Sequence, residues 1–410
     1  MISFLKKTYT TFLHYFLWDF ATRFFIFFYL VPRFNFRKEK GSDRFPKAPF
    51  FMISNHGTFF DPWIVRGMSL KPMSIMMNEE GFHAPPFVQW YLHHIGTFPK
   101  KKGASDYKAM KETLKRIKEG HPILIFPEGQ TTWDGETQPI YSGVEKLVKR
   151  TSVPLVMARA KGNFLCRPWW ADSQRTGSVR VFLKVLLPEH IKSLSEQELL
   201  QIMINHIYNN DIKDEENLKI NVTGKNLAAG LERFVWMCRQ CGTEDTLVTQ
   251  VNTITCTACN SSWTMDAHFR FKPHREGTAE IGDLHDWSQW HKLKVKERIA
   301  QCAENDVLTE SDNVSFGTIN DDGSFSTFAE GSLALSKQLL TFTPRTAHEH
   351  RLNLPVKEIR DYVFQRRDIF EFDFAEKTHR FRFIKHSAMK WVFYLRYMNR
   401  YEECEQRGYI

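Results

Sequence analysis

The sequence predicts an α/β domain in the first half of the chain, then a small cysteine-bearing ribbon, then a β-barrel closed by a helix. Three observations predict this order. Short apolar stretches alternate with amphipathic ones between residues 50 and 187, which is typical of α/β proteins. Two Cys-x-x-Cys pairs follow between residues 238 and 259. Closely spaced short apolar stretches then precede one last helical segment, and 410 residues suit two or three domains.

The α/β region consists of short apolar segments separated by polar or turn-forming residues. Their length and composition predict strands at Phe50–Ser54, Met73–Met77, Ile123–Phe126, Val153–Ala158 and Val179–Val185. A helix is expected over Tyr107–Glu119, because its apolar residues recur at helical spacing and Gly120 follows as a stop.

The amino-acid composition limits the classes of protein to which this chain can belong. A hydrophobic content of 42% with 25% charged residues describes a folded chain and excludes a disordered or fibrous one. The 56 basic residues exceed the 47 acidic ones, and the net charge of +9 favours anionic partners. Seven cysteines are too few for a secreted disulfide scaffold of this size.

The first 32 residues are rich in phenylalanine and superficially resemble a signal peptide. Asp19 and Arg23 interrupt the apolar segment and no small-x-small cleavage site follows, so secretion is not expected. The uncharged run Phe24–Val31 is too short to cross a bilayer core. A helix lying in a membrane interface is the preferred interpretation, with a single membrane span and a buried core helix as alternatives.

Charge placement is consistent with an interfacial helix. On a helical wheel one half of the circumference is polar, although Trp18 and Phe25 break the pattern. The polar residues are Lys7, Thr11, His14, Asp19, Thr22 and Arg23. The basic residues that follow predict contact with anionic headgroups on the cytoplasmic side of a membrane; they are Arg33, Arg37, Lys38 and Lys40.

One candidate site is the loop Asn55–Pro62, which directly follows the first predicted strand. His56 and Asp61 stand five residues apart, close enough to meet across one turn. A carboxylate on one ring nitrogen would fix the tautomer of His56 and leave the other nitrogen as a general base. The alternative is a helix-capping aspartate beside an ordinary histidine.

A second candidate site is the turn Phe126-Pro127-Glu128-Gly129, which ends the predicted strand Ile123–Phe126. Such a turn can present backbone N–H groups and the Glu128 carboxylate to a polar ligand.

Taken in order, these segments resemble the sequence blocks of the glycerolipid (lysophospholipid) acyltransferase family. Asn55–Asp61 is similar to the NHxxxxD block and Phe126–Gly129 to the FPEG block. Gly96–Lys102 is similar to the glycine-led second block, and Val153–Leu155 to the fourth block. The resemblance covers roughly residues 45–190, and an ordered set of blocks is more specific than any single motif.

The resemblance implies a membrane-associated enzyme that transfers an acyl group from an acyl-CoA or acyl carrier protein thioester to a lysophospholipid. The best-known members convert 1-acylglycerol 3-phosphate to phosphatidic acid. His56 would take the proton of the acceptor hydroxyl, and Asp61 would orient His56. The residues implied in substrate binding are Asn55, Lys100, Lys101, Lys102, Glu128 and Gly129.

The chain departs from the family pattern at two places. The arginine that usually follows FPEG is absent from Gln130–Gly135, and the second block ends in three lysines rather than an arginine. Lysine binds phosphate as a point charge and lacks the bidentate fork of arginine. The identity of the acceptor therefore stays open.

The four cysteines of the two pairs have the spacing of a zinc ribbon: Cys238, Cys241, Cys256 and Cys259. A redox dithiol and two disulfides are the alternatives. A site closed by four cysteines predicts a structural rather than a catalytic zinc.

The last hundred residues resemble a PH/GRAM-like domain in architecture. Strands are expected at Leu333–Phe342, His350–Leu354, Ile359–Phe364, Ile369–Phe374 and Phe381–Ile384, followed by a helix over Ser387–Met398. Basic side chains of this region could face a membrane or solvent.

The expected organisation has five parts. They are a membrane-associated helix over 1–35, an acyltransferase domain over 36–225, a zinc ribbon over 226–275, a helical linker over 276–305 and the PH-like domain over 306–410. The expected location is the cytoplasmic face of the cell membrane, held peripherally or as a monotopic protein. The competing hypothesis is a non-catalytic adaptor that binds lipid or nucleic acid through the ribbon and barrel. The ribbon lacks a dense basic patch, so no nucleic acid is expected as a partner.

Overall fold

The computed structural model describes residues 17–69, 72–100, 107–140, 143–346 and 350–399. Lys101 and Lys102 lie outside these ranges, as does the first half of the expected N-terminal helix. The chain divides into two compact units. The first comprises Met1–Trp169 and Gln174–Thr223, and the second Trp170–Ser173 and Gly224–Ile410.

A seven-stranded sheet forms the centre of the first unit. Its strands are β1 (Arg37–Lys38), β2 (Phe51–Ser54), β3 (Ser74–Asn78), β4 (Thr97–Lys100), β5 (Ile123–Ile125), β6 (Leu155–Lys161) and β8 (Arg180–Leu186). Two-residue strands, β7 (Arg175–Thr176) and β9 (Thr223–Gly224), stand outside it. The order is β1-β8-β6-β2-β5-β3-β4, and only the β6–β8 pairing is antiparallel. The predicted α/β class is confirmed, and the five predicted strands appear within one residue of their predicted ends, except that β6 starts two residues and ends three residues later than predicted.

Helices cover both faces of this sheet, and each face has its own buried apolar cluster. The helices are α1 (Asp61–Gly67), α2 (Pro86–His94), α3 (Tyr107–Lys118), α4 (Val144–Thr151), α5 (Asn163–Cys166), α6 (Pro188–Ser193) and α7 (Glu196–Ile207). β2 and β5 bury every residue because both faces are covered. The carboxyl ends of β2 and β5 are therefore held rigidly by the buried core on both faces of the sheet.

Residues 17–34 form one continuous N-terminal helix, in which π-type turns alternate with α-type turns. One face of it is buried in the first unit, since Ile26, Leu30 and Phe34 belong to the core cluster. Thr22, which the helical wheel placed on a solvated polar face, is buried, and its hydroxyl lies 3.1 Å from the Tyr91 hydroxyl. The placement of Thr22 on an exposed polar face was wrong, because the N-terminal helix packs on α2 at this residue.

The opposite face of the N-terminal helix carries large exposed aromatic side chains. They are Phe20, Phe24, Phe27 and Phe28, which are 59–66% exposed. None of the helices within the described ranges combines the length and the hydropathy that crossing a bilayer requires.

The second unit contains two antiparallel sheets. A four-stranded meander consists of β10 (Leu247–Gln250), β11 (Thr253–Cys256), β12 (Ser262–Met265) and β13 (Phe271–Pro273). A long helix follows, α8 (Leu284–Gln301). The seven-stranded sheet has the order β17-β16-β15-β14-β20-β19-β18. Its strands are β14 (Thr309–Ile319), β15 (Phe325–Leu335), β16 (Leu339–Pro344), β17 (Leu352–Pro355), β18 (Arg360–Gln365), β19 (Ile369–Phe374) and β20 (Lys377–Phe383).

Helix α9 (Met389–Asn399) packs on this second sheet through Trp391, which is fully buried against Phe370 and Phe383. The predicted β-rich C-terminal region with a tryptophan-bearing final helix is thus present. Its likeness to PH/GRAM domains, like the five-part division of the chain, stays a prediction.

Two errors concern the strands of this region. Leu333–Phe342 was predicted as one strand, but it contains the end of β15, a turn at Ser336 and the start of β16. The backbone N–H of Ser336 donates to the Leu339 carbonyl at 2.9 Å and closes that turn. β14 was missed altogether. Bulges on either side of Val314 interrupt the period-2 pattern by which a strand is recognised.

Candidate active site

Three loops meet at one edge of the first sheet. β2, β5 and β6 are mutually parallel, with β2 in the middle. The loops that follow their carboxyl ends carry His56, Glu128 and Asn163 respectively. Parallel sheets place ligand-binding groups at this edge, because the strand ends are fixed while the loops are free to vary.

His56 and Asp61 meet across the loop after β2. The ring nitrogen Nδ1 of His56 lies 3.0 Å from Oδ2 of Asp61, and that oxygen also accepts the backbone N–H of Thr58 at 2.8 Å. Asp61 is fully buried, whereas 18% of the His56 side chain is exposed. The ring of His56 stacks on Phe126 with centroids 4.3 Å apart. With Nδ1 turned to Asp61, Nε2 is the nitrogen available for proton transfer.

Glu128 holds the His56 loop from the neighbouring strand. Its Oε1 accepts the backbone N–H of His56 at 2.6 Å, and its Oε2 accepts that of Gln138 at 2.6 Å. The side chain is fully buried. Burial raises the pKa of the Glu128 carboxyl, with a further contribution from nearby Asp61, while the two backbone N–H groups act in the opposite direction. The geometry gives Glu128 a supporting role, and its contact with an acceptor stays a prediction.

Asn55 supports the loop in a similar way. Its Nδ2 donates to the Ala160 carbonyl at 2.9 Å and its Oδ1 accepts the Ala160 N–H at 2.7 Å, so the amide ties β2 to β6. Gly129 is exposed and has a φ of 73°, the left-handed conformation that lets the turn reverse direction at this point. Direct contact of either residue with substrate is not tested by this geometry.

Lys100 ends β4, which is separated from β2 by β5 and β3. Three strand spacings place this position about 14 Å along the sheet from the His56 loop. Lys100 therefore lies at the correct edge of the sheet but not next to His56. Lys101 and Lys102 are outside the described residues, so the three lysines remain predicted phosphate contacts.

The loops enclose a small cleft of about 160 Å³ behind His56. Its lining is strongly polar and includes Asn55, His56, Glu128, Asn163, Asn209 and Asp211. Ligand pockets usually measure several hundred Å³. The space between these residues is therefore far smaller than a ligand pocket, and an acyl chain does not fit in it.

Sequence reasoning missed Asn163 and Asp211, which both contact this network. Nδ2 of Asn163 donates to Oδ1 of Asp61 at 2.8 Å. No signal in the sequence connects positions 102 residues apart. Only the parallel pairing of β6 with β2 brings the end of β6 beside the His56 loop.

The four predicted metal ligands meet in the second unit. The sulfurs of Cys238, Cys241, Cys256 and Cys259 all lie within 4.8 Å of one another. The Cys238–Cys259 sulfurs are 3.7 Å apart and the Cys241–Cys256 sulfurs 3.8 Å apart, so these cysteines are not joined as disulfides. This arrangement could hold a metal ion, as the spacing predicted.

The similarity to known proteins lies in the first unit. Residues 36–159 match the Acyltransferase family model. The 1-acyl-sn-glycerol-3-phosphate acyltransferase of Limnanthes douglasii is 29% identical over 156 residues, covering 37% of this chain and 53% of that protein. The enzyme of the same description from Limnanthes alba is 29% identical over 154 residues, covering 36% and 53%. The chain thus spans about half the length of the curated relatives it matches.

Among solved structures, the 1-acyl-sn-glycerophosphate acyltransferase PlsC of Thermotoga maritima is similar with a TM-score of 0.36 and 21% identity, covering 42% of this chain and 68% of that one. The match of residues 36–159 to the family model supports the expected acyltransferase-type domain over that segment. The acceptor, the zinc ion and the PH-like assignment are not addressed by these similarities.

Replacing Glu128 with alanine should destabilise the first unit. The change leaves two partly buried backbone N–H groups without their carboxylate acceptor, and an unsatisfied donor costs about 1–3 kcal/mol where it is buried. Urea unfolding of the full chain should show a loss of about 2–5 kcal/mol. Glu189→Ala, on the exposed surface of α6, is the matched control and should change stability by less than about 0.5 kcal/mol. Equal stability of the two variants would contradict the supporting role of Glu128.

Proposed function

We propose that this protein is a membrane-associated acyltransferase that moves a fatty acyl group from an acyl thioester to a lysophospholipid hydroxyl. The observation that carries this proposal is the His56–Asp61 pair, held at 3.0 Å by a fully buried carboxylate at the carboxyl end of β2. The match of residues 36–159 to the Acyltransferase family supports the same reaction class. By similarity to the matched relatives, the acceptor is 1-acylglycerol 3-phosphate, which would give phosphatidic acid.

We assign each step of the proposed reaction to a group. Nε2 of His56 takes the proton of the acceptor hydroxyl as its oxygen attacks the thioester carbonyl. Asp61 keeps the proton on Nδ1 and stabilises the imidazolium that forms. When the tetrahedral intermediate collapses, the C–S bond breaks and the leaving thiolate takes up the proton from the His56 imidazolium to give the free thiol. The thioester is already activated, so no serine or cysteine nucleophile is required. Acyl-CoA or an acyl carrier protein supplies the donor.

The size of the cleft behind His56 suggests where the substrates lie. A space of about 160 Å³ is too small for an acyl chain, so both acyl chains would lie outside it. The aromatic face of the N-terminal helix offers an apolar surface that could rest in a membrane interface. Arg33 ends this helix and Arg37 and Lys38 follow in β1, where they could meet anionic headgroups on the cytoplasmic side.

For the four cysteines we propose a structural zinc. A tetrahedral ion with Zn–S bonds of about 2.3 Å separates its sulfurs by about 3.8 Å. The sulfur distances of 3.7 and 3.8 Å agree with that value. Four thiolates leave no open position on the metal, so the zinc would stabilise the second unit and take no part in acyl transfer.

His56→Ala should reduce acyl transfer by several orders of magnitude in a purified-protein assay, because a positioned base contributes about 10²–10⁴-fold and nothing replaces it. Asp61→Asn should cost somewhat less, since orientation and charge support are lost but the base remains. Thermal unfolding of His56→Ala serves as the folding control. Near wild-type turnover by folded His56→Ala would reject His56 as the base, whereas no turnover by the folded wild-type protein would favour the competing hypothesis of a non-catalytic lipid-binding adaptor.

Elemental analysis of the purified chain should find one zinc per molecule. Cys256→Ser should lower that ratio and destabilise the second unit, because a structural metal contributes directly to folding. Cys166→Ser is the control, since Cys166 is buried in the first unit and belongs to no metal cluster there. A zinc content unchanged by Cys256→Ser, or no metal at all, would contradict the zinc ribbon.

Membrane binding is best tested on the exposed aromatic face, because deleting residues 1–32 would also remove Ile26 and Leu30 from the core. The combined change Phe24→Ser, Phe27→Ser and Phe28→Ser should weaken pelleting with phosphatidylcholine–phosphatidylglycerol vesicles at least tenfold. Each buried phenylalanine contributes about 1.5–3 kcal/mol, and about 1.4 kcal/mol is tenfold. High salt should weaken binding only partly, since the apolar contribution is not screened.

The control for this experiment is Phe328→Ser, which removes an equally large side chain that is 52% exposed in the second unit. It should leave vesicle binding unchanged. If Phe328→Ser releases the protein while the triple variant still pellets, the anchor lies in the C-terminal sheet and the proposal for the N-terminal helix is wrong.

A further inference from the structure

The carboxylate of Asp61 is held by more than the histidine that it orients. Oδ2 faces Nδ1 of His56 and the N–H of Thr58, while Oδ1 accepts Nδ2 of Asn163 at 2.8 Å. Asn163 and Asp61 are both fully buried. A buried carboxylate stays ionised only where donors replace the water that it has lost, and Asn163 is the one side chain that donates to Oδ1 among the described contacts.

Asn163 has little freedom to move. It begins the short helix α5, and the backbone N–H groups on either side of it, those of Gly162 and Phe164, donate to the Asp211 carboxylate at 2.7 and 2.9 Å. Asp211 is buried and also accepts Nδ2 of Asn209 at 2.7 Å. Asp211 thus clamps the backbone from which Asn163 projects.

Two glycines leave room for this arrangement. A Cβ at Gly57 would lie 2.6 Å from Nδ2 of Asn163, inside the His56 loop. A Cβ at Gly162 would lie 2.4 Å from the Ser178 carbonyl, and its φ of 83° is left-handed. Oδ1 of Asn163 has no hydrogen-bond partner among the described residues. Among the described residues, the Asn163 side chain therefore makes its hydrogen bond only through Nδ2, which points to Asp61.

We propose that Asn163 is a positioning residue for the acyl transfer: it donates to Asp61, fixes the carboxylate toward His56, and is itself held in place by Asp211. The predicted effects of this inference on kcat and KM rest on the proposed function. Its prediction for the geometry of the His56–Asp61 pair does not. Asn163 is the third member of a relay that runs from the loop after β6 to the reacting nitrogen of His56.

Asn163→Leu keeps the approximate size of the side chain and removes the donor. It should lower kcat about 10–100-fold, the usual cost of losing a group that orients a reacting one, while KM for the acyl donor changes little. A merely structural role would not produce this split between kcat and KM.

Asn163→Asp gives the sharper test, because the introduced carboxyl can donate only while it is protonated. Two carboxyl groups at hydrogen-bond distance in a buried site share one proton. That shared proton is lost only at a strongly raised pH. The activity of Asn163→Asp relative to that of the wild-type protein should therefore be highest at low pH and fall as the pH rises through the upper pKa of the pair. The wild-type protein has no such pair and should show no matching loss.

Other titratable groups face this site and are common to every variant. They are His56 after β2, Glu128 after β5, Asp211 after α7, and Cys166 on α5 with Arg175 near it. Burial raises the pKa of Asp211 to about 6. Because these groups are shared, only the difference between variants reports the introduced carboxyl. Asn205→Asp, the same change on the exposed surface of α7, is the matched control and should keep the wild-type pH profile.

The positioning role can also be measured without turnover. In ¹³C-histidine NMR spectra, with the His56 signal assigned by its loss in His56→Ala, Asn163→Leu should shift the His56 resonance and its titration midpoint, and Asn205→Asp should not. If the wild-type protein transfers no acyl group, the proposed function fails while this measurement still decides the role of Asn163.

Two results would overturn the inference. One is folded Asn163→Leu with wild-type kcat and an unchanged His56 titration. The other is an Asn163→Asp pH profile that coincides with that of Asn205→Asp, which decides the matter even if Asn163→Leu does not fold. Gly57→Ala offers an independent check, because crowding the Asn163 amide should reproduce the NMR shift of Asn163→Leu.

Discussion

The candidate active site of the first unit depends on keeping the carboxylate of Asp61 fully buried and fixed in direction. Water cannot reach this group, so protein donors must surround it: the His56 ring, the Thr58 N–H and the Asn163 amide. Each donor comes from a loop that follows β2 or β6, and Glu128 after β5 holds the His56 backbone. Three neighbouring parallel strands are therefore the minimum scaffold for this pair.

The sequence was sufficient to locate this pair but not what surrounds it. His56 and Asp61 are five residues apart and follow a recognisable buried strand, so local spacing predicts their contact. Asn163 and Asp211 come from distant segments that only tertiary pairing brings close. The two oxygens of Glu128 hold backbone N–H groups, a supporting role that the motif does not reveal, while its predicted contact with an acceptor stays a prediction.

The same distinction applies to the fold. Strands that are apolar throughout, such as β2 and β5, were predicted because burial on both faces leaves a continuous apolar run. β14 was missed because its bulges break the alternation, and the N-terminal helix was misjudged at Thr22 because its packing on α2 is a tertiary event. The cysteine spacing predicted the sulfur cluster well, since two tight turns fix the ligand positions locally.

The central claim is that the His56 loop carries out acyl transfer to a lysophospholipid. It is tested most directly by incubating the purified chain with labelled acyl-CoA and a panel of lysolipids, and identifying the products by mass spectrometry. The account predicts a diacyl product, with 1-acylglycerol 3-phosphate the preferred acceptor, and release of one thiol for each acyl group transferred. A folded protein that forms no diacyl product from any acceptor, with acyl-CoA or with an acyl carrier protein thioester, would contradict it.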